Sequence, residues 1–236
     1  MFKVETIKKY VQTMSTAVNT ARADVKRRHV VFSSENRKIG RVLNVSTAPI
    51  VTCGHCAHCS GHCYDIKACL QYPGAMNARA NNTAIATMDR VRFFSEIGEK
   101  MDRRRKNLYM RFHVGGEIMD MDYLNRMINT AREHGARYKS IWTYTKEHEL
   151  VNEYVKSHGG NKRCVTDYIT VMFSHWYGTE VINPYGFPVF WTVATQEDVD
   201  RCRADGVTWK CPGNCDICKE AYRGCIAGES VYAWLH

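Results

Sequence analysis

The stretch Cys53-Gly-His-Cys56-Ala-His-Cys59-Ser-Gly-His-Cys63-Tyr64 carries four cysteines at the spacing C-x2-C-x2-C-x3-C. Bacterial ferredoxins use this spacing for iron–sulfur ligands, with a proline where this chain has Tyr64. Thiolates held so close in one loop repel one another when they ionise, and a bound metal relieves that repulsion. The stretch therefore predicts a metal centre whose ligands are Cys53, Cys56, Cys59 and Cys63.

Zinc is the alternative occupant of this cysteine loop. Three histidines, His55, His58 and His62, alternate with the cysteines, and a structural zinc ion takes four sulfur or nitrogen ligands. Disulfides explain the pattern poorly, because the chain has eleven cysteines and the neighbouring pairs are crowded. The spacing leaves an iron–sulfur cluster and a zinc ion both open.

A second cysteine group lies near the other end of the chain. Cys211, Cys215 and Cys218 follow the spacing C-x3-C-x2-C, and Cys225 comes seven residues later. Two groups predict two metal centres, or one shared site that joins the two ends of the sequence. Cys164 opens an apolar run, as a buried core thiol does. Two more cysteines lie near enough to the groups to replace a ligand: Cys69 and Cys202.

Length and composition indicate a globular protein of one α/β domain or two small ones. The chain has 236 residues, of which 44% are hydrophobic and 24% are charged. No apolar run reaches the length of a membrane span, and the residues after Met1 do not resemble a signal peptide. Reduced thiols and a cytoplasmic location are therefore expected.

The formal net charge is +9, from 33 lysines and arginines against 24 aspartates and glutamates. A four-iron cluster on four thiolates carries roughly −2, so two clusters would reduce the net charge to about +5. Solubility and compensation of anionic clusters explain this surplus. Nucleic-acid binding is the alternative, and its best support is two short basic runs, residues 26–28 and 103–106.

Helical and strand-like segments alternate along most of the chain. Residues 4–25 repeat apolar side chains at steps of three and four, which predicts a helix that docks on its own domain or forms a homodimer. About six strand-like segments follow from residue 42, among them residues 108–113, 140–144 and 165–173. This alternation predicts a mainly parallel sheet that forms an open, partial βα barrel.

These patterns divide the chain into three parts. Residues 1–30 form an N-terminal helix, and residues 31–209 form the α/β partial-barrel domain with its cysteine loop. Residues 210–236 form a cysteine-rich, metal-binding tail that we expect to pack on the same domain.

Candidate site residues follow the predicted strands. Arg111 and His113 share one face of a strand, and Gly115-Gly-Glu117 follows the end of that strand. Function in parallel sheets collects at this end, and glycines let a ligand approach the backbone closely. Alone, His113 is more typical of a buried histidine or an ion pair, and Tyr144 is more typical of packing. Other polar residues that follow strands are Thr145, Lys146, Ser174 and His175.

The order of these motifs resembles that of radical S-adenosylmethionine (SAM) enzymes. In that family a cysteine loop after the first strand binds a four-iron cluster, and a Gly-Gly-Glu after the second strand contacts SAM. The resemblance implies SAM contacts at Gly115, Gly116, Glu117 and Ser174, and an auxiliary cluster at the C-terminal cysteines. That family's usual loop spacing, C-x3-C-x2-C, occurs here only from Cys211. A SAM-activating cluster would also require one iron without a cysteine ligand.

A resemblance over residues 36–236 is to the cysteine-rich gene product 88 family of phages and plasmids. The matching features are an Asn-Arg-Lys segment at Asn36, Cys63-Tyr64, Arg111-Phe-His113 before Gly116-Glu117, Trp142-Thr-Tyr-Thr145, Cys211-Pro212 with Cys215 and Cys218, and His236. The resemblance implies a mobile element and no particular reaction. We therefore expect an iron–sulfur protein, either a radical SAM-like enzyme of unknown substrate or, as the alternative, a non-catalytic nucleic-acid-binding module stabilised by zinc or a cluster.

Overall fold

Seven parallel strands form one sheet in the computed structural model, which describes residues 1–33, 39–54, 59–176 and 179–235. The strand order is β1-β2-β3-β4-β5-β7-β6. This arrangement confirms the predicted α/β class and is consistent with a partial parallel barrel. The strands are β1 Leu43–Val45, β2 Tyr109–Phe112, β3 Ser140–Thr145, β4 Thr170–His175, β5 Val189–Val193, β6 Trp209–Lys210 and β7 Val231–Trp234.

Helices connect most of these strands. In the described ranges they are α1 Val4–Ala23, α2 Tyr64–Gln71, α3 Pro73–Met88, α4 Arg90–Arg103, α5 Met121–His134, α6 His148–Ser157, α7 Arg163–Thr166, α8 Gln196–Ala204 and α9 Cys215–Ala221. No helix in these ranges combines the length and the apolar composition that crossing a membrane requires.

The last strand, β7, is not predicted from the sequence. β7 lies between β5 and β6, and Val231 is in register with both Phe190 and Trp209. The tail at 210–236 therefore does more than pack on the domain, because it supplies a strand inside the sheet.

The two faces of the sheet are covered by different parts of the chain. Met110 and Phe112 face the main core, which also contains buried side chains of α4, α5 and α6. Tyr109 points the other way and packs with Cys218 and Ile226 of the tail, because successive side chains of a strand alternate between faces. The C-terminal cysteine group therefore lies against the face of β2 and β3 that is opposite the main core.

The N-terminal helix docks on its own chain, as one of the two sequence interpretations predicted. Its apolar stripe packs against Met76 and Ala80 of α3. A homodimer would therefore have to use another face of α1. The buried residues of the stripe are Tyr10, Met14, Val18 and Ala21.

Two helix boundaries differ from what the sequence predicts, which is a turn at residues 72–74 and then one helix with apolar positions from 84 to 101. Tyr72-Pro-Gly74 is the start of α3 rather than a turn, because proline is favourable at the first position of a helix. Asp89 separates α3 from α4, and its side chain accepts a hydrogen bond of 3.2 Å from the backbone N–H of Arg92. The strand expected at residues 165–173 begins only at Thr170, after the short helix α7.

Candidate functional site

Lys146 lies at the C-terminal end of the sheet, near Cys53, Cys59 and Cys63 of the N-terminal cysteine loop. Lys146 follows β3 directly, and burial lowers the pKa of its ammonium group. The nearby Cys59, Glu117, Cys53 and Cys63 outweigh that effect, so the pKa is raised. Because charges act strongly only at short range, these groups lie around one ammonium. Cys56, His55 and His58 lie outside the described residues.

The C-terminal cysteine group contacts Tyr144 of β3. The Tyr144 hydroxyl donates a hydrogen bond of 2.8 Å to Sγ of Cys225. Burial raises the pKa of Cys225 to about 12, and the thiols of Cys211 and Cys215 contribute to the increase. A metal bound here would have to displace the thiol proton.

Arg111 is the cation beside this second group. Its guanidinium lies over the Tyr144 ring, with Cζ 4.4 Å from the ring centroid. Its Nε is buried, with no hydrogen-bond partner in the described part of the chain. Burial lowers the pKa of Arg111, but Tyr144, Tyr64, Cys215 and Cys225 raise it overall. The Arg111 guanidinium therefore lies beside hydroxyl and thiol groups. This arrangement takes the place of the ion pair that the sequence offered as one explanation for the polar residues of this strand.

Several described thiols lie near enough to one another to shift each other's pKa. Among the described residues, no three His, Cys, Asp or Glu side chains come together as one metal ion would require. Burial is the main cause of the raised pKa of Cys63 and of Cys215, and neighbouring thiols raise both further. The neighbour that acts on Cys63 is Cys59, and those that act on Cys215 are Cys211 and Cys218.

The predicted glycines pack against the cysteine-loop region. A Cβ added to Gly115 would lie 1.7 Å from Oδ2 of Asp65, and one on Gly116 would lie 2.0 Å from Oγ1 of Thr47. Asp65 is held by Arg79 through two hydrogen bonds of 3.0 Å. Both positions need glycine because the chain after β2 packs closely on this region. Their role as SAM contacts stays a prediction.

Replacing Gly115 with alanine is expected to lower the free energy of unfolding by about 3 kcal/mol, because the new methyl group overlaps the held Asp65 carboxylate. Gly74→Ala is the matched control, since nothing lies within 4 Å of its added Cβ and alanine favours the helix. Urea denaturation of the two variants measures the difference. Equal stability of the two variants would contradict the packing.

Glu117 joins the ends of β2 and β3 beside the thiols. It is 5% exposed, and its Oε1 and Oε2 accept backbone N–H groups from Ile118 at 2.9 Å and Lys146 at 3.0 Å. Burial raises the pKa of this carboxyl group. The side-chain hydroxyl of Thr145 also hydrogen-bonds to this carboxyl group, and the Lys146 ammonium acts on it electrostatically.

Ser174 lies on the same face of the sheet as Tyr144. Met172 is in register with Tyr144, and Ser174 is two residues further along β4. Phe190, which pairs with Ser174, contacts the Tyr144 ring at a centroid distance of 5.3 Å. Ser174 is therefore on the face that carries the C-terminal cysteine group.

His113 is a buried core histidine, which is one of the two environments that the sequence indicates for it. It is 3% exposed, its Nδ1 lies 3.0 Å from Oγ1 of Thr143, and its Nε2 lies 3.0 Å from the hydroxyl of Tyr123. Burial, with a smaller effect from Arg111, lowers the pKa of His113 to about 3. The side chain is therefore neutral and structural at neutral pH.

Lowering the pH from 7 to 5 is expected to reduce the free energy of unfolding by about 2 kcal/mol through His113. Its folded pKa of about 3 is below the ordinary 6.5, so the unfolded chain binds a proton that the folded chain does not. This stability is present above pH 6.5 and is lost as the pH falls toward 3. Urea titrations at several pH values measure the slope. His113→Asn is expected to flatten it, and an unchanged slope in this variant would contradict His113 as the origin of the pH dependence.

The model of the family described as gene product 88 matches residues 18–224. This chain belongs to the gene product 88 family. The match confirms the family resemblance that the cysteine and aromatic motifs predict. It also fits the expectation of a phage-associated gene product. No curated protein and no solved structure matches the chain. The resemblance to radical SAM enzymes stays a prediction.

The sequence of this gene product 88 protein does not indicate that Arg111 and Tyr144 contact each other beside the C-terminal cysteine group. Tyr144 was interpreted as packing, but its hydroxyl binds the sulfur of Cys225. The signal for Arg111 was present in the strand, because it alternates with the core residues Met110 and Phe112. Alternation places its side chain on the other face of the sheet. Only the fold reveals that the cysteine tail covers that face.

Proposed function

We propose that this gene product 88 protein is an iron–sulfur protein with one cluster at each cysteine group. The observation that carries the proposal is that each group has a cation beside it, Lys146 for the N-terminal loop and Arg111 for the C-terminal group. A cluster on four thiolates is anionic, and a nearby cation offsets that charge where water is excluded. The proposed ligands are Cys53, Cys56, Cys59 and Cys63, and Cys211, Cys215, Cys218 and Cys225.

The ferredoxin-like sequence spacing of the N-terminal cysteines supports a cluster, and zinc is the competing occupant. A zinc ion holds four ligands around one point, with sulfur at about 2.3 Å, whereas cysteines of a cluster bind separate iron atoms. Among the described residues, neighbouring thiols raise the pKa of Cys63 and of Cys215, so each group brings thiols near one another, as either occupant requires.

The chain's own side chains would set the properties of the bound clusters. A cluster supplies one-electron chemistry when it is bound. Tyr144 would donate its hydrogen bond to the ligand sulfur of Cys225, and hydrogen bonds to ligand sulfurs are one of the factors that set a cluster's potential. Arg111 and Lys146 would offset negative charge at the two sites.

Anaerobic purification followed by metal and acid-labile sulfide analysis tests the proposal. The expected protein is coloured, with iron and sulfide in equal amounts and little zinc. A colourless protein with stoichiometric zinc and no sulfide would overturn the cluster and leave the zinc-stabilised, non-catalytic module as the function.

SAM binding is the catalytic extension of this proposal. It requires that one of the four N-terminal cysteines, Cys53 or Cys56, leaves its iron open to SAM or serves the other centre. Its support is that the Glu117 carboxylate and the N-terminal thiols all act on Lys146, so one end of the sheet combines a thiol group with an acceptor for an ammonium. The proposed contacts are Gly115, Gly116, Glu117 and Ser174. Calorimetry on the cluster-loaded protein is expected to detect SAM binding that Glu117→Gln weakens, and reduction in the presence of SAM is expected to yield 5′-deoxyadenosine. Absence of SAM binding to the loaded protein would remove the catalytic extension alone.

A further inference from the structure

Two exposed loops meet at the N-terminal edge of β2 and β3. Residues 104–108 lead from α4 into β2, and residues 135–139 lead from α5 into β3. The backbone N–H of Lys139 donates a 2.8 Å hydrogen bond to the carbonyl of Leu108. Arg137 Nη2 lies 2.8 Å from the carbonyl oxygen of Asp102 and 3.4 Å from that of Arg104. These contacts hold six basic residues together, and we name them the basic edge: Arg103, Arg104, Arg105, Lys106, Arg137 and Lys139.

Most of the charge at the basic edge is not neutralised by carboxylates. Arg104 donates to the carbonyl of Asn107 at 2.9 Å, and Arg105 donates to the carbonyl of Asp102 at 2.9 Å. A backbone carbonyl orients a guanidinium without cancelling its net charge. Arg103 does pair with Glu99, at 2.9 Å, but the Arg103 side chain remains 77% exposed. The loops therefore carry a concentrated positive potential that faces solvent.

We propose that the basic edge binds the phosphate backbone of nucleic acid. Arginine forks and lysine ammonium groups suit closely spaced phosphates. An anionic membrane is the other polyanion of this kind, but surface binding to lipid usually adds apolar side chains that enter the bilayer. None of the exposed large apolar side chains in the described part of the chain lies in the two loops. The charge pattern thus favours a hydrophilic polyanion.

The basic edge lies away from the N-terminal cysteine loop, so its function is separate from that of the clusters. The loops precede β2 and β3, whereas the cysteine loop follows β1, and all three strands run parallel. Nucleic-acid binding therefore does not rest on the proposed iron–sulfur function. Glu117→Gln, at the cysteine-loop end, is expected to leave it unchanged.

Fluorescence anisotropy with a labelled, mixed-sequence DNA duplex at several salt concentrations tests the proposal on the full chain. About six phosphate contacts predict a slope of log K against log salt near −5, or roughly a 10³-fold loss of affinity between 50 and 200 mM salt. The triple variant Arg105→Gln, Lys106→Gln and Lys139→Gln keeps about three contacts. The affinity of this variant for DNA is expected to fall only about 40-fold over the same salt range.

The matched control is Lys3→Gln, Lys8→Gln and Lys9→Gln, which removes the same charge from exposed positions of the N-terminal region. It is expected to keep the wild-type slope. Equal effects of the two triple variants would overturn the proposal, because they would show diffuse attraction by net charge. It would also be overturned by failure to bind duplex DNA, single-stranded DNA and RNA at 50 mM salt. Binding only to phosphatidylserine vesicles would instead identify a membrane surface and reject nucleic acid.

Discussion

Replacing Cys215 and Cys225 with serine is expected to remove about half of the iron and sulfide from anaerobically purified protein. Both residues belong to the group that covers the β2 and β3 face, and Cys225 carries the hydrogen bond from Tyr144. Two missing thiolates leave that cluster without half of its ligands. Cys59→Ser with Cys63→Ser is expected to remove the other half. Iron and sulfide assays per chain, with the visible spectrum, measure both losses.

Cys164→Ser is the matched control for these variants. Cys164 is partly buried, lies outside both groups and packs against the main core. We expect it to keep the full iron content. Full iron in the Cys215 and Cys225 variant would contradict a C-terminal centre. Loss of all iron in both double variants would indicate one shared site in place of two.

Arg111→Met is expected to change stability in opposite directions with and without metal. In the loaded protein the guanidinium offsets an anionic centre, and its removal is expected to lower the free energy of unfolding by about 3 kcal/mol. In the metal-free protein the neighbouring thiols are protonated, because burial raises the pKa of Cys225 to about 12. Within the described part of the chain the guanidinium then has no anionic partner, and its removal is expected to raise stability by about 1 kcal/mol.

Urea denaturation of the loaded protein and of the chelator-treated protein, both under anaerobic conditions, measures this reversal. Arg111→Lys is the charge-conserving control and is expected to retain most of the loaded protein's stability. If Arg111→Met destabilises both forms equally, Arg111 contributes through packing on Tyr144 and does not compensate a bound centre.

Local signals determined which elements could be predicted from the sequence. The sequence predicts a short helix over residues 196–204, and α8 has these bounds, Gln196–Ala204. Thr195 and Asp198 form a reciprocal capping box at its start. Strand β3 is a longer apolar and aromatic run and was also predicted to within one residue. Strand β7 was missed because its four residues follow a cysteine-rich segment, and only its place between two strands stabilises it.

The parts of the candidate site that are close together in the sequence could be predicted. The contacts between residues that are far apart in the sequence could not, because only the fold brings those residues together. The spacing of Cys211, Cys215 and Cys218 marks a candidate group without any structure. That Arg111 faces this group depends on the tail crossing the sheet more than a hundred residues later. The polar residues after strands included Lys146, but its three thiol neighbours appear only once β1 and β3 are placed in one sheet.

The position of β7 has a consequence for synthesis on the ribosome. β6 has only β7 as its described neighbour in the sheet, so it cannot pair until residues 231–234 have left the exit tunnel. Cys211, Cys215 and Cys218 emerge before that strand does. During this interval their thiols are held by no completed sheet and are open to oxidation or to capture of the wrong metal. A centre held by this cysteine group would therefore be completed only after β7 has been made and has paired with β6.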